Sequence, residues 1–216
     1  MLLMSARARL TQADYVTAAF QVADERGMKA LTLKVLGEHL GVDSTAVYRH
    51  FRNKNVLLVA MLDRLLVDAI APRSAHATPR DEIVHLAVEL RTILLCHPPL
   101  AVALAAIDDT SDNSAHMSDL VVDALARMGV RGEALVLHYQ LIEHFVLGAC
   151  LFDGDGSPDN WAVRRRRYER IGSREFKAAA RSDSNARRIA DETYTTGIAL
   201  LLDSCAASAA AATTGH

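Results

Sequence analysis

The chain has 216 residues, half of them hydrophobic, only 5% aromatic, with a formal net charge of −2. That allows one large domain or two small ones and excludes a chain too polar to build a core. The charge is uneven: residues 1–54 carry eight Lys/Arg against five Asp/Glu, a balance of +3, while residues 55–216 carry −5. A basic head on an acidic body suits a head that meets a polyanion.

Ala and Leu dominate, there are five prolines, and alternating Val/Ile/Thr runs are missing, so an all-α fold is expected. After a short basic arm with Arg7 and Arg9, Thr11 is placed to cap a first helix running to Arg26. Val16, Ala19, Phe20 and Ala23 share one face of it, and Gly27 is its natural stop. Thr32 caps a second helix closing at Gly41, and Asp43 or Ser44 caps a short third helix to His50. Asn53 precedes a fourth helix from Lys54 to Ile70. Pro72 and Pro79 bracket an aperiodic linker, which divides a head of residues 1–71 from a body of residues 72–216. In the body, helices are predicted over 80–96, 100–107, 116–128, 133–152, 159–171, 173–180 and 184–206. DDTSDNSAH and DGDGSPDN read as loops, and the Ala/Thr/Gly tail as frayed.

Other chemistries find little support. Cys96, Cys150 and Cys205 lie far apart in apolar stretches and are expected to be small buried hydrophobes, without metal or redox spacing. The MLLMSARARL start has too short an apolar run for a signal peptide, and the segment IALLLDSCAASAAAA is interrupted by Asp203, so a cytoplasmic protein without a membrane span is expected. His138 and His144 are six apart and share no helix face for a metal. The loop from Asp153 has Pro158 where a calcium loop needs glycine and Arg164 where it needs glutamate. The run Arg164–Arg167 reads as a solvated helix face. With no P-loop, nucleophile elbow or paired carboxylates, neither catalysis nor a metal nor a cofactor is expected.

Residues 32–58, TLKVLGEHLGVDSTAVYRHFRNKNVLL, are more specific. Leu33, Leu36 and Leu40 form an apolar stripe, Gly41 permits a sharp turn, and Val47 and Phe51 return to the core, which makes a helix-turn-helix. Ser44, Thr45, Tyr48 and Arg49 are left on an outward face short enough for a major groove. Arg49 offers two donors to one guanine, and Lys54, at a helix start, suits a backbone phosphate. The string Tyr48-Arg49-His50-Phe51-Arg52-Asn53-Lys54 with Leu57 and Leu58, preceded by Leu40-Gly41-Val42, closely resembles the tetracycline-repressor (TetR) family. That family's pattern is a Gly-Val turn, then Tyr-x-His-Phe, then Lys, then Leu. Gly37 departs from it, standing where the family usually has Ala, and should loosen the second helix by up to about 1 kcal/mol. The motif match covers roughly the first 70 residues; beyond them it rests on helix number and order.

The resemblance implies an N-terminal three-helix helix-turn-helix domain and a C-terminal helical domain for effector binding and dimerisation. It implies Ser44, Thr45 and Arg49 as base readers and Thr32, Tyr48, His50 and Lys54 as phosphate contacts. His50 is equally placed to pack beneath Phe51, and Arg7 and Arg9 to reach a phosphate, enter the minor groove or stay solvated. A homodimer is expected through Leu137, Gly148, Phe152, Tyr194, Ile198, Leu201 and Leu202, because the helix 133–152 is apolar nearly all round. A cavity for a small, largely apolar effector is expected from Leu90, Leu94, Leu104, Ile107, Leu120, Met128, Leu141, His144 and Phe145. His138, Gln140 and Glu143 on one helix, and Arg91 and His97 on another, are polar clues on apolar faces. The expected activity is a repressor of a double-stranded operator, gated by the effector with the fourth helix as lever. The rival is a helical small-molecule binder or enzyme with a vestigial head.

Overall fold

The computed structural model describes residues 10–71, 78–105, 111–153 and 158–214, which hold eleven α-helices and no strand. They are α1 (Gln12–Arg26), α2 (Leu33–Leu40), α3 (Ser44–Tyr48), α4 (Lys54–Ala69), α5 (Pro79–Cys96), α6 (Pro98–Ala105), α7 (Asp112–Arg127), α8 (Gly132–Asp153), α9 (Pro158–Ile171), α10 (Arg174–Ala179) and α11 (Asp183–Thr214). Their starts are set by side chains. Thr11 and Asp14 close a reciprocal capping box on α1, as do Thr78 and Asp81 on α5. Pro98 opens α6, where a residue without N–H loses no hydrogen bond.

Two ends differ from expectation. α7 starts at Asp112 because Ser111 accepts the amide of Ser114 at 3.2 Å, so half of the polar stretch expected as a loop is a capped first turn. α11 continues to Thr214 where a frayed tail was expected, since its alanines have the highest intrinsic helix propensity.

The chain divides into two compact units, residues 1–64 and 65–216. In the first, Tyr15, Ala19, Val22, Leu36, Val47 and Leu57 are buried from α1, α2, α3 and the start of α4, with Phe51 from the segment between α3 and α4. Gly41 sits in the left-handed region (φ 62°, ψ 34°), which lets the chain reverse in three residues between α2 and α3. A Cβ on Gly37 would lie 3.2 Å from the Val42 carbonyl and 3.4 Å from Val47, so this glycine sits where α2 and the turn approach closely.

In the second unit, α5, α7, α8 and α11 share a core of Ile83, Leu125, Ile142, Val146, Tyr194, Ile198 and Leu202, among others. The Tyr194 hydroxyl donates to the Ala87 carbonyl at 2.7 Å, and the Phe145 ring stacks on Tyr194 with centroids 5.7 Å apart. Gly197 makes that stack possible, because a Cβ there would fall 2.2 Å from the Phe145 ring. α9 packs on α11 through Trp161, Ala186 and Ala190.

One buried ionic network ties four helices. Asp153, 5% exposed, accepts from Arg91 at 2.9 Å and Arg164 at 2.6 Å, and Arg91 also donates to Asp191 at 2.8 Å. Cys150, one turn earlier on α8, is buried, which pushes its thiol up to about 12, and Cys205 is buried as well. Cys96, expected among the buried hydrophobes, is instead exposed at the last turn of α5.

Candidate nucleic-acid interface and effector cavity

The local chemistry of the first unit fixes α3 by both ends. Asp43 accepts the Thr45 amide at 2.8 Å, and hydrogen bonding from the Thr45 side chain, together with that amide, holds the Asp43 carboxyl below its ordinary range. Val47 and Phe51, both fully buried, clamp the inward side. Thr45, Tyr48 and Arg49 are therefore exposed and Ser44 half-buried, within an arc of about 140° on a helix that turns about 100° per residue. Four polar side chains thus share one open face of a helix short enough for a major groove.

The flanking candidates are placed differently. Thr32 is exposed and caps α2, accepting the Val35 amide at 3.1 Å while its own proton stays free to donate. Asn53 caps α4 through the Val56 amide at 3.0 Å, and the half-buried Lys54 donates to the Met28 carbonyl at 3.4 Å. That bond anchors the ammonium and leaves it two further donors. His50 is half-buried with its ring centroid 4.8 Å from Tyr15, so its packing is directed at Tyr15 more closely than at Phe51, 6.4 Å away. Arg7 and Arg9 lie outside the described residues.

The second unit contains a cavity of about 120 Å³ between α5, α6, α7 and α8. Of the residues expected to line it, Leu90 and Leu104 do; Ile107 lies outside the described residues. The other six are elsewhere. Leu94 is fully buried off the cavity, Leu120 is half-buried, and Met128 packs on the core cluster. Phe145 is committed to Tyr194, and Leu141 and His144 are exposed, because the α8 face that carries them points away from α5 and α7.

The polar part of the wall is Ser114 and Ser118 from α7 with Tyr139 and Glu143 from α8. The Tyr139 hydroxyl stands 2.9 Å from Ser118 Oγ and 3.0 Å from Glu143 Oε1, and burial pushes the Tyr139 phenol up. Of the polar clues in the sequence, only Glu143 reaches this wall. His138 is buried beside Ser208, Arg91 belongs to the ionic network, and Gln140 is exposed. Tyr139 with Glu143, and Ser114 with Ser118, are each four apart on a helix; that spacing was the available signal.

The dimer candidates split. Leu137 and Phe152 are 55% and 61% exposed, and Gly148 is exposed with nothing within 4 Å of an added Cβ. Tyr194, Ile198 and Leu202 are instead buried in their own chain's core, with Leu201 half-buried against it. α11 has one apolar stripe here, and α5 and α8 use it. The outward apolar residue of α11 is Leu200, 64% exposed.

A buried Gly-turned helix pair, with an open polar face on its second helix and a separate all-helical unit behind it in the chain, defines a helix-turn-helix regulator class. Two family models match: that of the bacterial regulatory proteins of the tetR family over residues 16–61, and that of the tetracyclin repressor-like C-terminal domain over residues 71–208. The chain belongs to the tetR family of bacterial regulatory proteins. A curated relative from Saccharopolyspora erythraea, an HTH-type transcriptional regulator, is 28% identical over 65% of this chain, and the matched stretch spans 59% of that relative. The tetracycline repressor protein of class C from Escherichia coli is 35% identical over 34% of this chain and 32% of its own length. Apo ActR from Streptomyces coelicolor shares the fold, with a TM-score of 0.74 at 20% identity over 96% of this chain and all of that one.

Proposed function

We propose that the protein is a cytoplasmic transcriptional repressor that binds a double-stranded operator as a homodimer and is released by a small, largely apolar effector. The observation that carries this is α3: Val47 and Phe51 lock it from within, and Ser44, Thr45, Tyr48 and Arg49 are left open outside. Ser44, Thr45 and Arg49 read base edges, while Thr32, Tyr48 and Lys54 hold phosphates; His50 supports Tyr15 beside them. BioQ has been solved with its double-stranded operator and ActR with (S)-DNPA, and the same two kinds of partner are proposed for this chain.

The head, residues 1–71, meets DNA, and the body, residues 72–216, dimerises and binds effector. The exposed apolar row Leu137, Leu141, Gly148, Leu151 and Phe152 on α8, with Leu200 on α11, is the surface a second copy would cover. An effector that lowers operator affinity a hundredfold must favour the released state by about 2.7 kcal/mol. Catalysis has no part in this proposal.

The test is selection of bound duplexes from a random library, followed by gel shift of the selected sequence across a salt series. Binding that weakens steeply with salt and is weakened in Tyr48→Ala and in Lys54→Ala supports the proposal. Salt-independent binding, or binding unaffected by both substitutions, overturns it.

A further inference from the structure

We infer that the cavity selects an apolar molecule carrying a protonated amine, with Glu143 as its anchor; this rests on the cavity being the effector site. Eleven of the fifteen described lining residues are aliphatic, alanine or methionine, so the wall accepts a hydrocarbon body. None of the fifteen is Lys, Arg or His, and Glu143 is the one ionisable carboxyl among them. Among the described residues, no cation lies within salt-bridge distance of Glu143, which accepts from the Tyr139 hydroxyl at 3.0 Å.

Tyr139 and Ser118 fix that carboxylate. Ser118 donates its proton to the Ser114 carbonyl at 3.2 Å, and the single Tyr139 proton is shared between Ser118 Oγ at 2.9 Å and Glu143 Oε1 at 3.0 Å. Glu143 Oε1 is thus oriented by the phenol, while among the described residues Oε2 has no donor. A carboxylate beside an apolar wall attracts a cation more strongly than it would in water, and repels an anion for the same reason. A neutral ligand gains the apolar contact alone. The volume of about 120 Å³ suits a small apolar body of about six carbons, near the size of benzene.

The test titrates the full-length protein with hexylammonium, hexanol and hexanoate, which match in chain length and differ in charge. Ligand-observed NMR and the shift in melting temperature report binding. Hexylammonium is expected to bind about tenfold tighter than hexanol, as a charged hydrogen bond replaces a neutral one, with hexanoate weakest. Glu143→Gln, which keeps the size and the Tyr139 contact, should bring hexylammonium within about twofold of hexanol. Equal binding of ammonium and carboxylate, no binding of any probe, or a preference that persists in Glu143→Gln overturns the inference. If that variant does not fold, the wild-type order alone decides. Gel shift of the same preparation separates the two proposals. DNA binding without amine preference sinks the ligand class only, and amine preference without DNA binding sinks the repressor.

Discussion

Gly197→Ala places a methyl 2.2 Å from the Phe145 ring, where carbon atoms need about 3.5–4.0 Å, so the ring must retreat by more than about 1 Å. It cannot do so and keep its stack on Tyr194, which contributes about 0.5–1.5 kcal/mol beyond burial. Overpacking of this kind costs about 1–3 kcal/mol, against about 1 kcal/mol gained by replacing a mid-helix glycine with alanine. The net expectation is a loss of about 1–2 kcal/mol, read as a lower urea midpoint with unchanged slope at fixed protein concentration. The sign should reverse once the ring is gone. In a Phe145→Ala background the three nearest atoms are gone, and the same substitution should stabilise by up to about 1 kcal/mol through helix propensity. Stabilisation by Gly197→Ala in the otherwise unaltered chain would refute the packing of α8 on α11 argued here.

Four further outcomes are expected. Asp153→Ala leaves Arg164, 10% exposed, without its carboxylate and Arg91, 12% exposed, with Asp191 alone, and should cost about 3 kcal/mol in denaturant unfolding. Lys54→Ala should flatten the salt dependence of operator binding by about one unit of log–log slope, measured by gel shift, without altering circular dichroism. Leu137→Glu should shift the protein toward monomer in analytical ultracentrifugation, since it charges the open face of α8 and leaves the buried core around Tyr194 unaltered. Asp43 has its folded pKa below the ordinary 3.8, so its capping bond stabilises α3 fully above that value and loses this as pH falls through the folded pKa. Asp43→Asn should therefore remove part of the acid dependence of melting temperature below about pH 4.

Local signals carried the head. Thr11, Thr32 and Asp43 are caps that act within three residues, and Gly41, Val47 and Phe51 state the turn and the inward face directly. The body was harder because its faces are chosen by partners distant in the chain. α8 is apolar on both sides, so periodicity could not say that Leu141 is outside and Val146 inside. For α11 the opposite problem arose: its single stripe looked like an interface and is spent on α5 and α8. Ser114 was hidden because a serine-capped helix start resembles a polar loop. Ser118 and Tyr139, 21 residues apart, became a pair only when α7 met α8. The Lys54 bond to Met28, across 26 residues, left no trace in composition or spacing.

The three thiols differ sharply in their surroundings. Cys150 and Cys205 are shielded, and Cys150 is held protonated by its setting, whereas Cys96 faces water at the end of the helix that supplies Leu86 and Leu90 to the cavity. The unaltered polypeptide therefore comes with a single handle for a maleimide dye. A fluorophore attached there would report, by its change in brightness, when something enters beside α5, with no engineered cysteine and no label on the DNA.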